Sequence, residues 1–408
     1  MKTKTLTKLS SIVATLLCIV IGLILAFVVL LVTYSATKSS SVSAITGRFS
    51  SASWGMKKIL SLGLSNPSSY SEYLRRFTTL KYNIGQVLYY AMPLIMTGLS
   101  VAFAFKTGLF NIGASGQYLF GGIAAIICAG MLHLPWYVSI FAALIAGAIW
   151  GAIPGLFKAY LNINEVITCI MTNWIGLYLV NIFVYNTPAI QSLGADSSRT
   201  LTLTGDGIIL SRLNLASLFA GNDNVSVGII VAIVFAIVVW VILYKTTFGY
   251  ELKACGLNKN AAKYAGINDK KNIILSMVVA GALAGVGGAL YYLTGNNGAV
   301  YKTEEVLQQA GFDGISVALL GGSNPIGVIF SGLFIAFLKV GGDNLQPVYN
   351  TEIVSVITST IIYFSAFSLF FRNLILKGRV KRDLAISNQS NILNKPPVIA
   401  DIKGGEKQ

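Results

Sequence analysis

The residues able to do chemistry are few and scattered. His133 is the sole histidine and stands beside Pro135 and Trp136; a lone imidazole builds no metal site. Carboxylates are few and scattered; Glu165, the neighbours Glu304 and Glu305, and Asp313 stand beside or within apolar sequence. No G-x-x-x-x-G-K-[ST] loop is present and no G-x-G-x-x-G follows a strand pattern, so the chain does not hydrolyse ATP through a P-loop of its own. Cys18, Cys128 and Cys169 lie in apolar runs and Cys255 in a lysine-rich loop, which suits buried small hydrophobes better than a disulfide framework. This inventory predicts no catalytic residue, no metal site and no cofactor.

What remains is hydrogen bonding. Thr107 to Gly122 reads TGLFNIGASGQYLFGG, setting Asn111, Ser115 and Gln117 among glycines with apolar sequence on both sides. Hydrocarbon satisfies none of these groups, and glycine weakens a helix. They either bond neighbouring helices or line a wet route; Asn173, Asn181 and Asn324 extend the same set of uncharged donors and acceptors. Asp313 is the one carboxylate expected well inside hydrocarbon, where it either serves function or caps a broken helix beside Gly314.

The elements that must position these groups are membrane helices. Of all residues 54% are hydrophobic and 11% charged, and the mean hydropathy is +0.70. A span needs roughly 20 apolar residues, and spans are expected near 9–32, 83–105, 109–132, 136–160, 164–185, 225–244, 272–294, 306–322, 325–342 and 352–371. The expected fold is an all-α polytopic membrane protein of about ten helices. The run 9–32 exceeds a signal-peptide core of about 7–15 residues and lacks a clear cleavage site, so it is read as a retained signal anchor.

Lys2, Lys4 and Lys8 predict a cytoplasmic N-terminus, and the even count returns the tail, with Arg372, Lys377, Arg379, Lys381 and Arg382, to the same side. The basic outside loop 33–82 opposes this orientation; within it MKKIL and EYLRRF suit interfacial helices. The net charge of +15 is thereby assigned to loops at a lipid surface, not to nucleic acid.

Gly321, Gly322, Asn324 and Pro325 interrupt the segment after Asp313, so the eighth span is expected to be short and broken. If spans two to five and seven to ten form two sets, the glycine-interrupted polar member comes second in each, a pointer to an inverted repeat. Gly147, Gly151 and Gly155, then Gly281 and Gly285, recur at four-residue intervals and predict close helix packing. In the loop 245–271, Asn258 is placed to cap a short helix over KNAAKYA and Gly266 to end it. So short a helix is marginal alone, leaving either a docked helix or a solvated basic loop.

GLFNIGASGQYLFGG together with GYELKACGLNKNAAKYAGI resembles the permease subunits of ATP-binding-cassette importers in the branched-chain amino-acid and simple-sugar permease family, most closely its nucleoside-importer branch. The likeness extends over roughly 85–371. It implies a permease core at 83–371 with a coupling loop at 245–271, preceded by the anchor 1–32 and the outside loop 33–82, and followed by a cytoplasmic tail at 372–408. The resemblance further implies an ATPase with two nucleotide-binding units, a second related permease and an extracytoplasmic substrate-binding lipoprotein. Gly256, Leu257, Asn258, Ala261, Ala262, Tyr264, Ala265 and Gly266 match the family's coupling region, which inserts into the ATPase. Asn111, Ser115, Gln117, Asn173, Asp313 and Asn324 become translocation-pathway candidates, suited to ribose hydroxyls and base edges or to a sugar. An ion-coupled secondary transporter is the rival reading, with Asp313 as its coupling group; a membrane enzyme lacks any residue constellation to support it.

Overall fold

The computed structural model describes residues 17, 20–32, 43–62, 70–191, 198–205, 207–211, 213, 215–295, 299–345 and 351–367. Lys2, Lys4, Lys8, Cys18 and the basic tail from Arg372 lie outside these described residues. In chain order the helices are α1 (Val20–Val32), α2 (Ser43–Leu60), α3 (Tyr70–Lys106), α4 (Ala114–Ile126), α5 (Trp136–Leu161), α6 (Glu165–Asn186), α7 (Leu215–Leu218), α8 (Gly228–Lys245), α9 (Thr247–Leu257), α10 (Lys259–Tyr264), α11 (Asp269–Tyr292), α12 (Gln309–Leu320), α13 (Pro325–Asp343) and α14 (Thr351–Ala366). Among the described residues the only strand-like pairing is two isolated bridges, Gln191 with Thr200 and Arg199 with Lys302.

Among the described residues seven helices are long and apolar enough to cross a bilayer: α3 from Thr79, α4 extended by a π turn to Met131, α5, α6, α8, α11 and α13. The chain is an all-α polytopic membrane protein, and these seven coincide with expected spans. Of the other three, 306–322 is short and broken as expected, and 9–32 and 352–371 run beyond the described residues. The helix α12 has 12 residues, about 18 Å at 1.5 Å per residue, well short of roughly 30 Å of hydrocarbon. The helix α14 is described to Ala366 and α1 over Val20–Val32, each part of its expected span. Much of 33–82 is helical: MKKIL ends α2, and EYLRRF lies in α3, whose helix continues into the first long span.

Local sequence explains the helix boundaries. Side chains of Asn164, Thr246, Asn258, Asn268 and Asn324 each accept from a free backbone N–H of the helix that follows, at 2.9–3.1 Å. Between α12 and α13 the chain turns through Gly322 (φ 63) and Ser323 (φ 52), whose amides bond back to Leu319 and Ala318 at 3.0 and 2.8 Å. Pro325 then occupies the first turn of α13, where its missing N–H costs nothing. The break expected at GGSNP is therefore a capped turn joining a half-helix to a full one.

Close packing at small residues holds the bundle. A Cβ on Gly151 would stand 2.5 Å from the Met277 carbonyl oxygen, and one on Gly285 would stand 3.0 Å from Gly147 Cα, so α5 and α11 meet backbone to backbone. The helix α3 is central, touching α4, α8, α11, α12 and α13. By contrast α5, α6 and α8 turn Phe141, Ile149, Ile175, Ile182, Val234 and Ile237 outward, as lipid contact requires.

Candidate functional site

The segment after α3 reverses direction at Gly108, whose φ of +76° only glycine adopts freely. Leu109 N–H returns to the Ala104 carbonyl at 2.9 Å, and the Leu109 side chain buries among Ala159, Cys169 and Ile273. The chain thus re-enters the bundle before α4 begins. Its polar side chains are spent inside the protein. Asn111 Nδ2 donates to Gln117 Oε1 at 2.7 Å and to Ser100 Oγ at 3.0 Å, while Gln117 Nε2 donates to Asn111 Oδ1 at 3.1 Å. From α6, Asn173 Oδ1 accepts the Gly116 amide at 2.8 Å and its Nδ2 donates to the Ile112 carbonyl at 3.0 Å. Ser115 Oγ donates to the Gln308 carbonyl at 2.9 Å, where α12 starts.

Asn111, Ser115, Gln117 and Asn173 are each at most 1% exposed. Leaving one such group unpaired would cost about 1–3 kcal/mol, and the reciprocal amide pair avoids that cost. Together these bonds tie the re-entrant segment to α3, to α6 and to the start of α12. Asp313 and Asn324 are not among these bonds: half-buried Asp313 accepts from Gln309 Nε2 at 3.0 Å on α12, and Asn324 is exposed as the cap of α13. Asn181 lies at the other end of α6, accepting from the Tyr301 hydroxyl and donating to the Glu304 carbonyl at 3.2 Å. Burial, then the nearby Glu304 charge, push the Tyr301 phenol above its ordinary range.

Two features escape a reading by residue type. The first is a contact between the two motifs themselves. A Cβ on Gly256 would stand 2.5 Å from the Thr107 carbonyl carbon and 2.7 Å from the Gly108 nitrogen, so the end of α9 and the re-entrant turn touch backbone to backbone. Thr107 and Ser276 hydroxyls are hydrogen-bonded alongside. No single-sequence pattern announces a pairing of two distant glycines. The second is Lys339, in α13, whose ammonium lies 5.1 Å from the centre of the Tyr90 ring. A lysine within an apolar run was the available signal.

Around α9 and α10 the predicted capping is present: Asn258 Oδ1 accepts the Ala261 amide at 3.0 Å, and Gly266 takes φ +81°. Lys259 pairs with Asp269 at 3.2 Å, fixing α10 to the start of α11. Leu257 and Tyr264 are 88% and 94% exposed, whereas Ala262 is 4% exposed and faces back into the chain. Asn258, Ala261, Ala265, Gly256 and Gly266 are also exposed. A cavity of about 280 Å³ lies behind this segment, lined by Gly108, Lys158, Asn162, Cys255, Lys259 and Asn272 among others. Burial pushes the Cys255 thiol up, more than the Asn272 side chain draws it down.

A protein-family profile described as "Branched-chain amino acid transport system / permease component" matches residues 83–366. The "Nucleoside ABC transporter permease protein NupB" of Lactococcus lactis is 39% identical over 73% of this chain and 82% of its own length. The "Guanosine ABC transporter permease protein NupP" of Bacillus subtilis is 37% identical over 78% and 90%, and the "Glucose ABC transporter permease protein TsgB13" of Haloferax volcanii is 30% identical over 77% and 84%. No solved structure matches. The chain therefore belongs to the family of branched-chain amino acid transport system permease components, which are transporter subunits and not enzymes.

Proposed function

We propose that this chain is a permease half of an ATP-driven importer for nucleosides, working by alternating access. Its similarity to nucleoside and guanosine permeases over most of the chain carries the substrate reading. The partners are an ATPase with two nucleotide-binding units, a second related permease and an extracytoplasmic substrate-binding lipoprotein. Both termini are cytoplasmic, the tail 372–408 included, with 33–82 outside and 83–371 as the permease core.

The coupling residues divide by exposure. Leu257 and Tyr264 offer apolar surface to the ATPase, with Asn258, Ala261, Ala265, Gly256 and Gly266 around them, while buried Ala262 supports α10 from behind. Motion of α10 passes through α9 to the Gly256–Gly108 contact and so to the re-entrant segment. Asn111, Ser115, Gln117 and Asn173 then move as one unit, shaping the pathway by holding its walls. Asp313, on a half-exposed face, meets the solute directly, and Asn324 frames the turn below it. An inverted repeat is supported by the meeting of the two interrupted elements: a Cβ on Gly311 of α12 would stand 2.5 Å from the Ser115 nitrogen of α4.

The test is uptake of labelled nucleoside by vesicles holding the chain with its three partners. ATP-dependent uptake that excess nucleoside blocks, and that glucose and branched-chain amino acids leave intact, is the expected outcome. Accumulation by this chain alone under a proton or sodium gradient would instead make it a secondary transporter.

A further inference from the structure

The outward surfaces of α5, α6 and α8 are apolar, but one half-exposed strip is charged. It runs where α3, α12 and α13 pack on one another. Gln309 and Asp343 are exposed there, and Tyr90, Asp313 and Lys339 are half-buried. α3 and α13 run antiparallel: Gly98 lies against Val328, Ile95 against Gly332 and Tyr90 against Lys339. A lysine near the end of a span ordinarily extends along the helix to water. The Lys339 ammonium instead turns onto the face of Tyr90, 5.1 Å from the ring centre and inside the span Thr79–Lys106. Among the described residues no carboxylate lies within 4.0 Å of it. Asp313 Oδ1 receives only the Gln309 amide, at 3.0 Å, which leaves its second oxygen without a described partner. The Lys339 charge acts on both Asp313 and Asp343 without pairing with either, and an ammonium and a carboxylate so placed on a partly exposed face are arranged to be bridged by something polar.

We propose that Asp313 and Lys339 form a subsite for the ribose and base of a nucleoside, the carboxylate accepting from the vicinal ribose hydroxyls and the ammonium donating to an acceptor on the base. This rests on the nucleoside reading above. A carboxylate offers two adjacent acceptors, which suits two adjacent hydroxyl donors. Tyr90 is a positioning residue: its ring holds the ammonium away from the carboxylate. The subsite takes neutral solutes rich in hydroxyls and ring acceptors, and leaves a 2′,3′-dideoxynucleoside one anchor short.

The experiment compares maximal uptake of a ribonucleoside and of its 2′,3′-dideoxy analogue by the full four-component system, each saturating the binding protein. That protein is the same in every arm, so a changed ratio belongs to the permease. In the wild type the ribonucleoside is expected to move faster by about tenfold or more, the scale of one charge-assisted hydrogen bond. Asp313→Asn should bring the ratio towards one, and Asp313→Glu should restore part of it. An unchanged ratio in Asp313→Asn overturns the subsite, and loss of the second permease from the purified complex overturns it by assigning the face to that interface. Should the Asp313→Asn chain itself fail to reach the membrane, Lys339→Met decides: maximal ribonucleoside uptake is expected to fall about tenfold with assembly intact, and an unchanged rate overturns the proposal. A wild-type system that moves no nucleoside defeats the broader reading instead.

Discussion

Asn111 and Gln117 answer each other's needs, which makes their energetics non-additive. Each amide is buried and spends its hydrogen bonds largely on the other. Replacing Asn111 with Leu leaves the Gln117 amide unpaired at 1% exposure, a loss expected to destabilise the chain by about 1–3 kcal/mol. Replacing both with Leu removes the orphan, so the double variant should lose less than the sum of the singles. Thermal unfolding in detergent measures this, and strictly additive losses would refute the reciprocal pairing. The same reasoning separates Ala262 from Tyr264. Tyr264→Asp puts a charge on an exposed surface and should leave folding intact while cutting uptake at least about tenfold if α10 docks on the ATPase. Ala262→Asp buries a charge and should lower stability as well. Residue type alone did not distinguish these two positions, because the helix phase of a six-residue element is set by what it packs against.

Elements were legible wherever a local pattern sufficed. The N-cap at Asn258, the break at GGSNP and the close approach of Gly147 and Gly151 to α11 all follow from spacing and short-range chemistry. The contact of Gly256 with Gly108 did not, because the pairing spans distant parts of the chain. It has a direct consequence for coupling. Gly256→Ala would bring a Cβ within 2.5 Å of the Thr107 backbone, which has no flexible end to move aside. The variant is expected to assemble with the ATPase and hydrolyse ATP while transporting little, and full uptake would remove this contact from the transmission route. Cys255 reports on the same junction. Because burial raises its thiol, the thiolate is scarce at neutral pH, and maleimide labelling of a variant keeping only this cysteine should rise by up to about tenfold per pH unit between pH 7 and 8. Labelling that levels off with rising pH as early as it does for free cysteine would mean the thiol is not raised.

At the scale of the whole molecule, hydropathy located the long spans but not what each outward face meets. Seven apolar runs became helices of spanning length, whereas 306–322 became a half-helix because its glycines and Asn324 stop it at Leu320. Hydropathy averages over all sides of a helix, so it registers neither the lipid-facing side of α6 nor the charged strip on α12. Burial separates them: Ile175 and Val234 stand out from the bundle among apolar neighbours, while exposed Gln309 stands beside Asp313. Single cysteines at these three positions, in a chain otherwise free of cysteine, should divide sharply in intact membranes. A charged methanethiosulfonate requires water to reach a thiol and to ionise it, so position 309 is expected to label within minutes, whereas 175 and 234 label only after denaturation. Equal labelling at 175 and 309 would place both in one solvent, and the partition of this bundle into a lipid side and a wet side would have to be abandoned.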